Sequence, residues 1–580
     1  MKRSVTRCLE NWRRRLSAHP ALGYGLLWGF VPFVVTVMEW GHLQSVKKVT
    51  EFVFQSPGIF LFDWMVVGLV YSLLLILTRR GWIAALATGG ACMALSAVEY
   101  YKYAVSGTHL LASDLLMTSN MEDVASFGQL QFNLRLVVAV LLVLGYVLLL
   151  WLARSAPRAR PLPSFLTGMG VLTLAGVLVV SQAAFENFCG LLGIDTRPAV
   201  DAFSQEERFE TNQLTASLAL SAVEELDSAI SRRPEEYSRR TVQEAVDQGR
   251  EAINQEDSRP NVVVVMSESF ADFRSLTGQV PDEIYAPYDR VAAQGYRGEC
   301  VVPTFGGYTV KSEFELLFGL PVRGLKNAPL PTNLLDDEER QYEAMPQLYR
   351  EAGYHTTYIH PFSSSFYGRD STYSRCGFDQ LIFLEDFTFQ PASFHQYTDD
   401  GEAFRQVEEV LDQTPGRDFV FLTTMQNHQP YSGLDYYLEG IGHTCRELEA
   451  FTQRLQERDE PVILLFVGDH YPFFGGEETV YTQAGIGSES SRRVFDQGWL
   501  LWSNRPLDEN LLPQEKISLF YLPHLLYQQA GAGEAAFVET MLYQMEETPL
   551  YSPITAGRES ETLDLLAYDR TLGEGYSCDS

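Results

Sequence analysis

Apolar residues are distributed along this chain in two regimes. Up to position 184 they come in long, nearly unbroken runs, at 22–40, 59–78, 82–98, 136–152 and 165–184. Beyond position 260 they come in short β-branched runs separated by polar and helical stretches. A helix needs about 20 mainly apolar residues to cross the hydrocarbon core of a bilayer, so the first regime predicts five membrane spans. The third run is short and interrupted by Gly89 and Gly90, which leaves four spans as the alternative. In the second regime the runs at 262–266, 419–422 and 462–467 have the continuous apolar character of strands buried on both faces, and helical patterns at 338–352 and 445–458 lie between them. That alternation predicts an α/β domain with a mainly parallel central sheet.

The layout expected from these patterns is a five-span α-helical transmembrane domain over 1–184, a linker or stalk over 185–258, an α/β domain over 259–557 and an acidic C-terminal tail over 558–580. A stretch with helical spacing at 109–117 reads equally as an interfacial helix and as an ordinary loop.

Charge sharpens this division. The chain holds 44 Lys and Arg against 74 Asp and Glu, a net charge of -30. Most of the acids follow position 200, and such a balance repels nucleic acid. Lys2, Arg3, Arg7, Arg13, Arg14 and Arg15 precede the first run, Arg79 and Arg80 follow the second, and Arg154, Arg158 and Arg160 follow the fourth. The alternate loops hold little beyond Lys47, Lys48 and Lys102. Basic loops stay in the cytoplasm, so the N-terminus is expected on the inner side of the cell membrane, and an odd number of spans puts the α/β domain outside. The seven cysteines form no CxxC pair, which argues against a zinc module or a thioredoxin-like site. A disulfide among Cys300, Cys376 and Cys445 stays open.

In parallel sheets, ligands gather beyond the carboxyl ends of the strands, so the residues just after each run carry the chemistry. Ser267-Glu268-Ser269 follows the first strand and Gly468-Asp469-His470 the third. Two carboxylates and one imidazole suit a single Mn²⁺, with Mg²⁺ or Zn²⁺ as alternatives. Between those strands, Gly306-Gly307-Tyr308-Thr309 leads into a helix that Gly319 ends. A glycine pair lets backbone approach a ligand, a helix N-terminus favours an anion, and a hydroxyl beside a cation can ionise and attack phosphorus. Alone, Thr309 would read as an ordinary helix cap. His360, Arg369 and His428 follow further strand-like runs and could contact a phosphate or protonate a leaving group.

With these pieces assembled, the chain resembles the lipoteichoic acid synthase family of the sulfatase superfamily, most specifically through Gly307-Tyr308-Thr309-Val310-Lys311-Ser312-Glu313-Phe314-Glu315, and also through Asn427-His428-Gln429-Pro430-Tyr431 and Gly468-Asp469-His470. The resemblance implies one metal ion, usually manganese, held by Glu268, Thr309, Asp469 and His470. It implies Thr309 as a nucleophile that takes glycerol phosphate from phosphatidylglycerol, and His360, Tyr367, Arg369 and His428 as substrate-binding residues. The acceptor would be an envelope polymer or glycan. Two positions depart from the family pattern: Phe362 stands where an Asp is expected, and Tyr367 where a Trp is expected. Related readings stay open at this point, namely a phosphoethanolamine or other phosphoglycerol transferase, a phosphodiester hydrolase, and an inactive lipid-binding scaffold. No Cys-x-Pro-x-Arg or Ser-x-Pro-x-Arg sequence surrounds the nucleophile, which argues against a sulfatase activity.

Overall fold

The computed structural model describes residues 19–578 apart from 107, 117–131, 154–181, 198–201, 231–232, 235, 248–258, 279, 327, 329, 336–338, 475–479, 486–487 and 555–559. The chain divides into two compact units: Met1–Leu115, Gln129–Ala199 and Gln205–Asp227 form one, and Leu116–Gly128, Val200–Ser204 and Ser228–Ser580 form the other.

Among the described residues of the first unit, four helices are long and apolar enough to cross a membrane. They are α1 (Ala21–Leu43), α3 (Pro57–Thr78), α4 (Gly81–Ser106, apolar over Gly81–Ala104) and α5 (Leu134–Ala153). The fifth expected span, at 165–184, lies almost wholly outside the described residues. These helices are apolar around most of their circumference, and Leu141, Leu148 and Trp151 of α5 face outward as lipid-contacting residues would. Where α1 meets α4 small residues let the backbones approach: a Cβ at Gly41 would lie 2.4 Å from Ser96 Oγ, and that hydroxyl donates to Met38 O at 2.7 Å. A short amphipathic helix, α2 (Val46–Gln55), links α1 to α3 and exposes Val46 and Phe54. Of the stretch at 109–117, residues Ala112–Leu116 are helical. A long kinked helix, α6 (Ala202–Ile230), follows.

The second unit is built on an eight-stranded sheet. Its strands are β1 (Asn261–Ser267), β2 (Tyr296–Val301), β3 (His355–His360), β4 (Gln380–Phe383), β5 (Asp418–Thr423), β6 (Val462–Gly468), β7 (Asp496–Ser503) and β8 (Ile517–Ser518). The spatial order is β8-β2-β7-β6-β1-β5-β3-β4. The central strands run parallel, and only β7 runs antiparallel to both its neighbours, β2 and β6. The run of four valines in β1 is buried throughout, as is every residue of β5 and β6, which is why these strands read as unbroken apolar runs. Parallel register places Ser267 opposite Gly468, so the next residues of both strands, Glu268 and Asp469, leave the sheet side by side. Helices α7 (Thr309–Phe318), α8 (Asp400–Gln413) and α9 (Leu434–Gln456) belong to this unit. Cys300, Cys376 and Cys445 are buried, free thiols.

The segment at 558–580, expected as an acidic tail, instead carries a packed helix, α10 (Glu561–Thr571), with Leu563, Leu566 and Ala567 buried. Asp569 explains the difference. It is fully buried and accepts hydrogen bonds from Tyr237 Oη (2.7 Å), Tyr576 N (3.0 Å), Ser577 N (2.8 Å) and Ser577 Oγ (2.7 Å), so one acid that looks solvent-facing in the sequence organises a polar knot.

Candidate active site

Thr309 is the first residue of α7, and the chain reaches it through three successive left-handed residues, Gly306 (φ 74°), Gly307 (φ 148°) and Tyr308 (φ 58°). Tyr308 has no glycine's freedom there, so this is a strained elbow that turns the Thr309 side chain toward the strand ends. All ten residues of α7 are buried, and Gly319 closes the helix in the left-handed conformation (φ 60°). Ser312 Oγ donates to Asp469 O at 2.7 Å and so ties α7 to the end of β6.

The strand ends and the elbow converge. Thr309 Oγ1 donates to Glu268 Oε2 at 3.2 Å and lies 3.4 Å from His470 Nε2. Glu268, Asp469 and His470 each offer a ligand atom, all within 4.8 Å of one another. Their supporting bonds aim these atoms. Asp469 Oδ1 accepts from Ser269 N (2.7 Å) and His470 N (2.8 Å), while its Oδ2 is buried without a partner, and Ser269 Oγ holds Glu268 Oε1 at 2.9 Å. His470 Nδ1 lies 3.0 Å from Tyr471 O. A carbonyl can only accept, so Nδ1 carries the proton and Nε2 presents its lone pair beside Asp469 Oδ2, 3.1 Å away. An orphaned buried carboxylate oxygen, a second carboxylate and an imidazole lone pair facing one point form a donor set that fits a divalent cation.

Electrostatics agree with that fit. Burial, and then the neighbouring Asp469, push the Glu268 carboxyl above its ordinary range, and burial pushes Asp469 up to about 7. Burial also lowers His470 below an ordinary imidazole, although Glu268 opposes this. Two carboxylates crowded without compensating charge are what a cation would relieve.

His360 and His428 follow the same rule as His470. His360 Nδ1 meets Thr423 O at 3.0 Å, and His428 Nδ1 meets Gln429 O at 2.8 Å, so both rings present Nε2 as an acceptor. His360 Nε2 is buried without a partner. Burial, helped by the Arg369 charge, takes the His360 imidazole down to about 3, and burial lowers His428 against the pull of Glu268. Both are neutral near pH 7. A phosphate oxygen offers no proton to such a nitrogen; a hydroxyl does.

Arg369, expected to clamp a phosphate, has internal partners. It is fully buried, its Nε and Nη2 bind Glu313 at about 3 Å, and its Nη1 donates to Phe366 O at 3.3 Å. Tyr367 stands at φ 60° with its ring 5.1 Å from the Arg369 guanidinium. Glu313 is the residue that sequence reasoning left without a role. Besides Arg369 it accepts from Tyr358 Oη (2.7 Å), Tyr373 Oη (2.9 Å) and Thr423 Oγ1 (2.7 Å). Burial opposes ionisation of Glu313, but Arg369 and its hydrogen bonds outweigh that and hold its carboxyl below the ordinary range. Phe362, one of the two departures from the family pattern, lies in an aromatic wall with Phe366 and Tyr397, at ring separations of 5.4 and 6.4 Å.

The sequence profile of the Sulfatase family matches residues 260–532, a span that includes Glu268, Thr309, Asp469 and His470. These residues form a sulfatase-family domain. The capsular polysaccharide biosynthesis protein RkpI of Rhizobium meliloti is 28% identical over 237 residues, covering 37% of this chain and 42% of that protein. The lipoteichoic acid synthase of Staphylococcus saprophyticus is 25% identical over 248 residues, covering 37% and 36%. The chain spans less than half the length of these curated relatives. Among solved structures, Streptococcus pyogenes phosphoglycerol transferase GacH in complex with sn-glycerol-1-phosphate superposes with a TM-score of 0.48 at 18% identity, over 60% of this chain and 97% of that one.

The raised carboxyls of the sulfatase-family domain give a pH-dependent expectation. Asp469 binds its proton more tightly folded than unfolded, so in metal-free protein its contribution to stability is full below the ordinary carboxylate pKa and is lost as pH rises through about 7. A cation needs that proton released. The apparent affinity for Mn²⁺ is therefore expected to fall by about tenfold per pH unit below 7. Calorimetric titrations of the full chain at pH 5, 6, 7 and 8 would measure it, and a flat profile would contradict the assigned ligands.

Proposed function

We propose that this chain is a membrane-anchored phosphotransferase that moves glycerol phosphate from phosphatidylglycerol, or a similar phospholipid, to a hydroxyl of an envelope polymer or glycan through a phospho-threonine at Thr309. The observation that carries this reading is the Thr309 hydroxyl, held 3.2 Å from Glu268 and 3.4 Å from His470 at the mouth of a metal-ligand cluster. A single cation bound by Glu268, Asp469 and His470, together with Thr309, would supply the Lewis acidity that lets the hydroxyl ionise near neutral pH, with Mn²⁺ as the expected ion and Mg²⁺ or Zn²⁺ as alternatives. The names of the relatives, a lipoteichoic acid synthase and a capsular polysaccharide biosynthesis protein, support an envelope acceptor.

In the first step Thr309 Oγ1 forms a bond to phosphorus as the bond to the diacylglycerol oxygen breaks. The proton that Thr309 gives up is the one the leaving oxygen gains, and the carrier we assign is neutral His428, which takes it up at Nε2 and passes it on. In the second step the acceptor hydroxyl gives its proton to a neutral imidazole, His360 or His428, while its oxygen displaces Thr309 from phosphorus, and the imidazole returns that proton to Thr309 Oγ1 as it leaves. Neutral Nε2 acceptors suit hydroxyl partners, so the two histidines are placed on the side of the glycerol and acceptor hydroxyls. Tyr367 and the aromatic wall that includes Phe362 would stack against the group carried by the phosphate. Arg369 acts through Glu313 as a positioning residue in this reading.

The test uses full-length protein in phosphatidylglycerol vesicles with Mn²⁺. Peptide mass mapping should find glycerophosphate on the peptide carrying Thr309, and the lipid extract should contain diacylglycerol. Absence of both, with phosphatidylethanolamine tried in parallel, would sink the reading.

A further inference from the structure

Asp400, the first residue of α8, is fully buried, and its hydrogen bonds lead to the loop that carries His428. We propose that Asp400 and Thr444 are a pair of positioning residues: the carboxylate fixes which way the Thr444 hydroxyl points, and that hydroxyl holds the loop so that His428 meets the atoms between which it carries a proton. The inference deepens the reading of His428 as the proton carrier and rests on it.

Hydrogen-bond direction at Thr444 has one solution. Its Oγ1 receives Asn427 Nδ2 at 2.9 Å and Gln426 Nε2 at 3.0 Å. An amide nitrogen can only donate, so these two bonds fill both lone pairs of the hydroxyl, and its single proton goes to Asp400 Oδ2 at 2.6 Å. That length suits a hydroxyl donating to a charged acceptor. Gln426 closes a ring, since its Oε1 accepts from Asp400 N at 3.0 Å while its Nε2 also donates to Gly440 O at 3.2 Å. Asp400, Gln426, Asn427 and Thr444 are each at most 4% exposed, so solvent does not replace a lost partner and the four act as one unit.

Three segments meet in this ring. Asp400 comes from the start of α8, Thr444 and Gly440 from α9, and Gln426 and Asn427 from the turn after β5. Asn427 is packed without slack: a Cβ at Gly440 would lie 2.4 Å from its Oδ1. The next residue is His428, whose N donates to Met425 O at 3.1 Å, and Tyr431 Oη holds Asn427 O at 2.7 Å. On the other side Tyr397 Oη donates to Gln429 O at 2.8 Å, the carbonyl that also fixes the His428 tautomer. The backbone is thus pinned before and after the imidazole, and Asp400 acting through Thr444 supplies the pin before it. A proton carrier has to stay within hydrogen-bond reach of its partners, and a shift of about 1 Å costs roughly 100-fold in rate.

Thr444→Val removes the hydroxyl at nearly constant volume and tests the pair in full-length protein with Mn²⁺. On vesicles of phosphatidylglycerol, or of phosphatidylethanolamine if the parent prefers it, kcat should fall by about 100-fold with KM within about threefold of the parent. On bis(p-nitrophenyl) phosphate the fall should be about tenfold or less, because nitrophenolate leaves without a proton and His428 then only takes one up. Thr444→Ser should restore most of both losses. Asp400→Asn should act in the same direction, and the double variant should be no slower than Thr444→Val alone, since the carboxylate acts through that hydroxyl. Gly440→Ala, which displaces Asn427 and leaves the Thr444 bond to Asp400 in place, should show the same split between substrates and keeps the test valid if Thr444→Val fails to fold. Equal losses on lipid and nitrophenyl ester, losses that multiply in the double variant, or parental rates in Thr444→Val would overturn the positioning pair and leave Thr309 as nucleophile. A parent that releases diacylglycerol from neither lipid overturns the reading of Thr309, and this inference with it.

Discussion

Alanine in place of Thr309 is expected to lower turnover by on the order of 10⁴–10⁶-fold while leaving affinity for a divalent cation within about tenfold of the parent. The two expectations separate the roles of one side chain. Removing the Oγ removes the atom that would bond to phosphorus, and nothing nearby replaces it: the Ser312 hydroxyl is turned away to Asp469 O and the Ser269 hydroxyl to Glu268. Glu268, Asp469 and His470 keep supports that do not involve Thr309: Ser269 Oγ for Glu268, Ser269 N and His470 N for Asp469, and Tyr471 O for His470. Thr309→Ser should recover a large part of the lost rate, since it keeps the hydroxyl and gives up only the methyl that stiffens it. Diacylglycerol release from phosphatidylglycerol vesicles reads the rate, and calorimetry with Mn²⁺ reads the cation. An alanine variant that still turns over within a factor of about ten of the parent would remove Thr309 from the chemistry.

How much of this was legible before any coordinates can be judged residue by residue. The strand ends were legible because each buried strand is a run of residues with no polar interruption, and a polar residue immediately after such a run has to sit at the sheet's edge. What no pattern carries is that β1 and β6 are neighbours; that comes from the sheet order, and the pairing of Ser267 with Gly468 turns two separate motifs into one cluster. Arg369 shows what periodicity leaves out. A loop arginine with an aspartate beside it reads as solvated or ligand-facing, yet the fold buries it against a glutamate 56 residues earlier in the chain. Asp569 is the same case at the other end of the chain. Both belong to buried polar knots whose members come from distant segments, and single-sequence periodicity has no access to such partners.

Glu313→Ala is expected to destabilise the second unit by about 3–5 kcal/mol, the range for stripping one partner from a buried ion pair. In a domain of this size that lowers the melting temperature by roughly 10 °C. The change leaves Arg369 charged and buried, and takes the acceptor from Tyr358, Tyr373 and Thr423 together. Glu313→Gln should cost less, since an amide oxygen can still accept two of those bonds. The sign of its pH dependence follows from the carboxyl being held below its ordinary range. Its contribution is full above the ordinary carboxylate pKa and is lost as pH falls through the lowered one, so parent and Glu313→Gln should converge in stability as the solution is acidified. Catalysis should suffer beyond stability. Glu313 sits four residues, one helical turn, after Thr309 on α7, and through Tyr358 and Thr423 it pins that helix to β3 and β5. A helix freed to shift by about 1 Å would cost roughly 100-fold in rate. The effect should fall on kcat more than on KM and appear at temperatures where the variant is fully folded. A Glu313→Gln protein with parental kcat at such a temperature would show that the knot holds the fold without positioning the nucleophile.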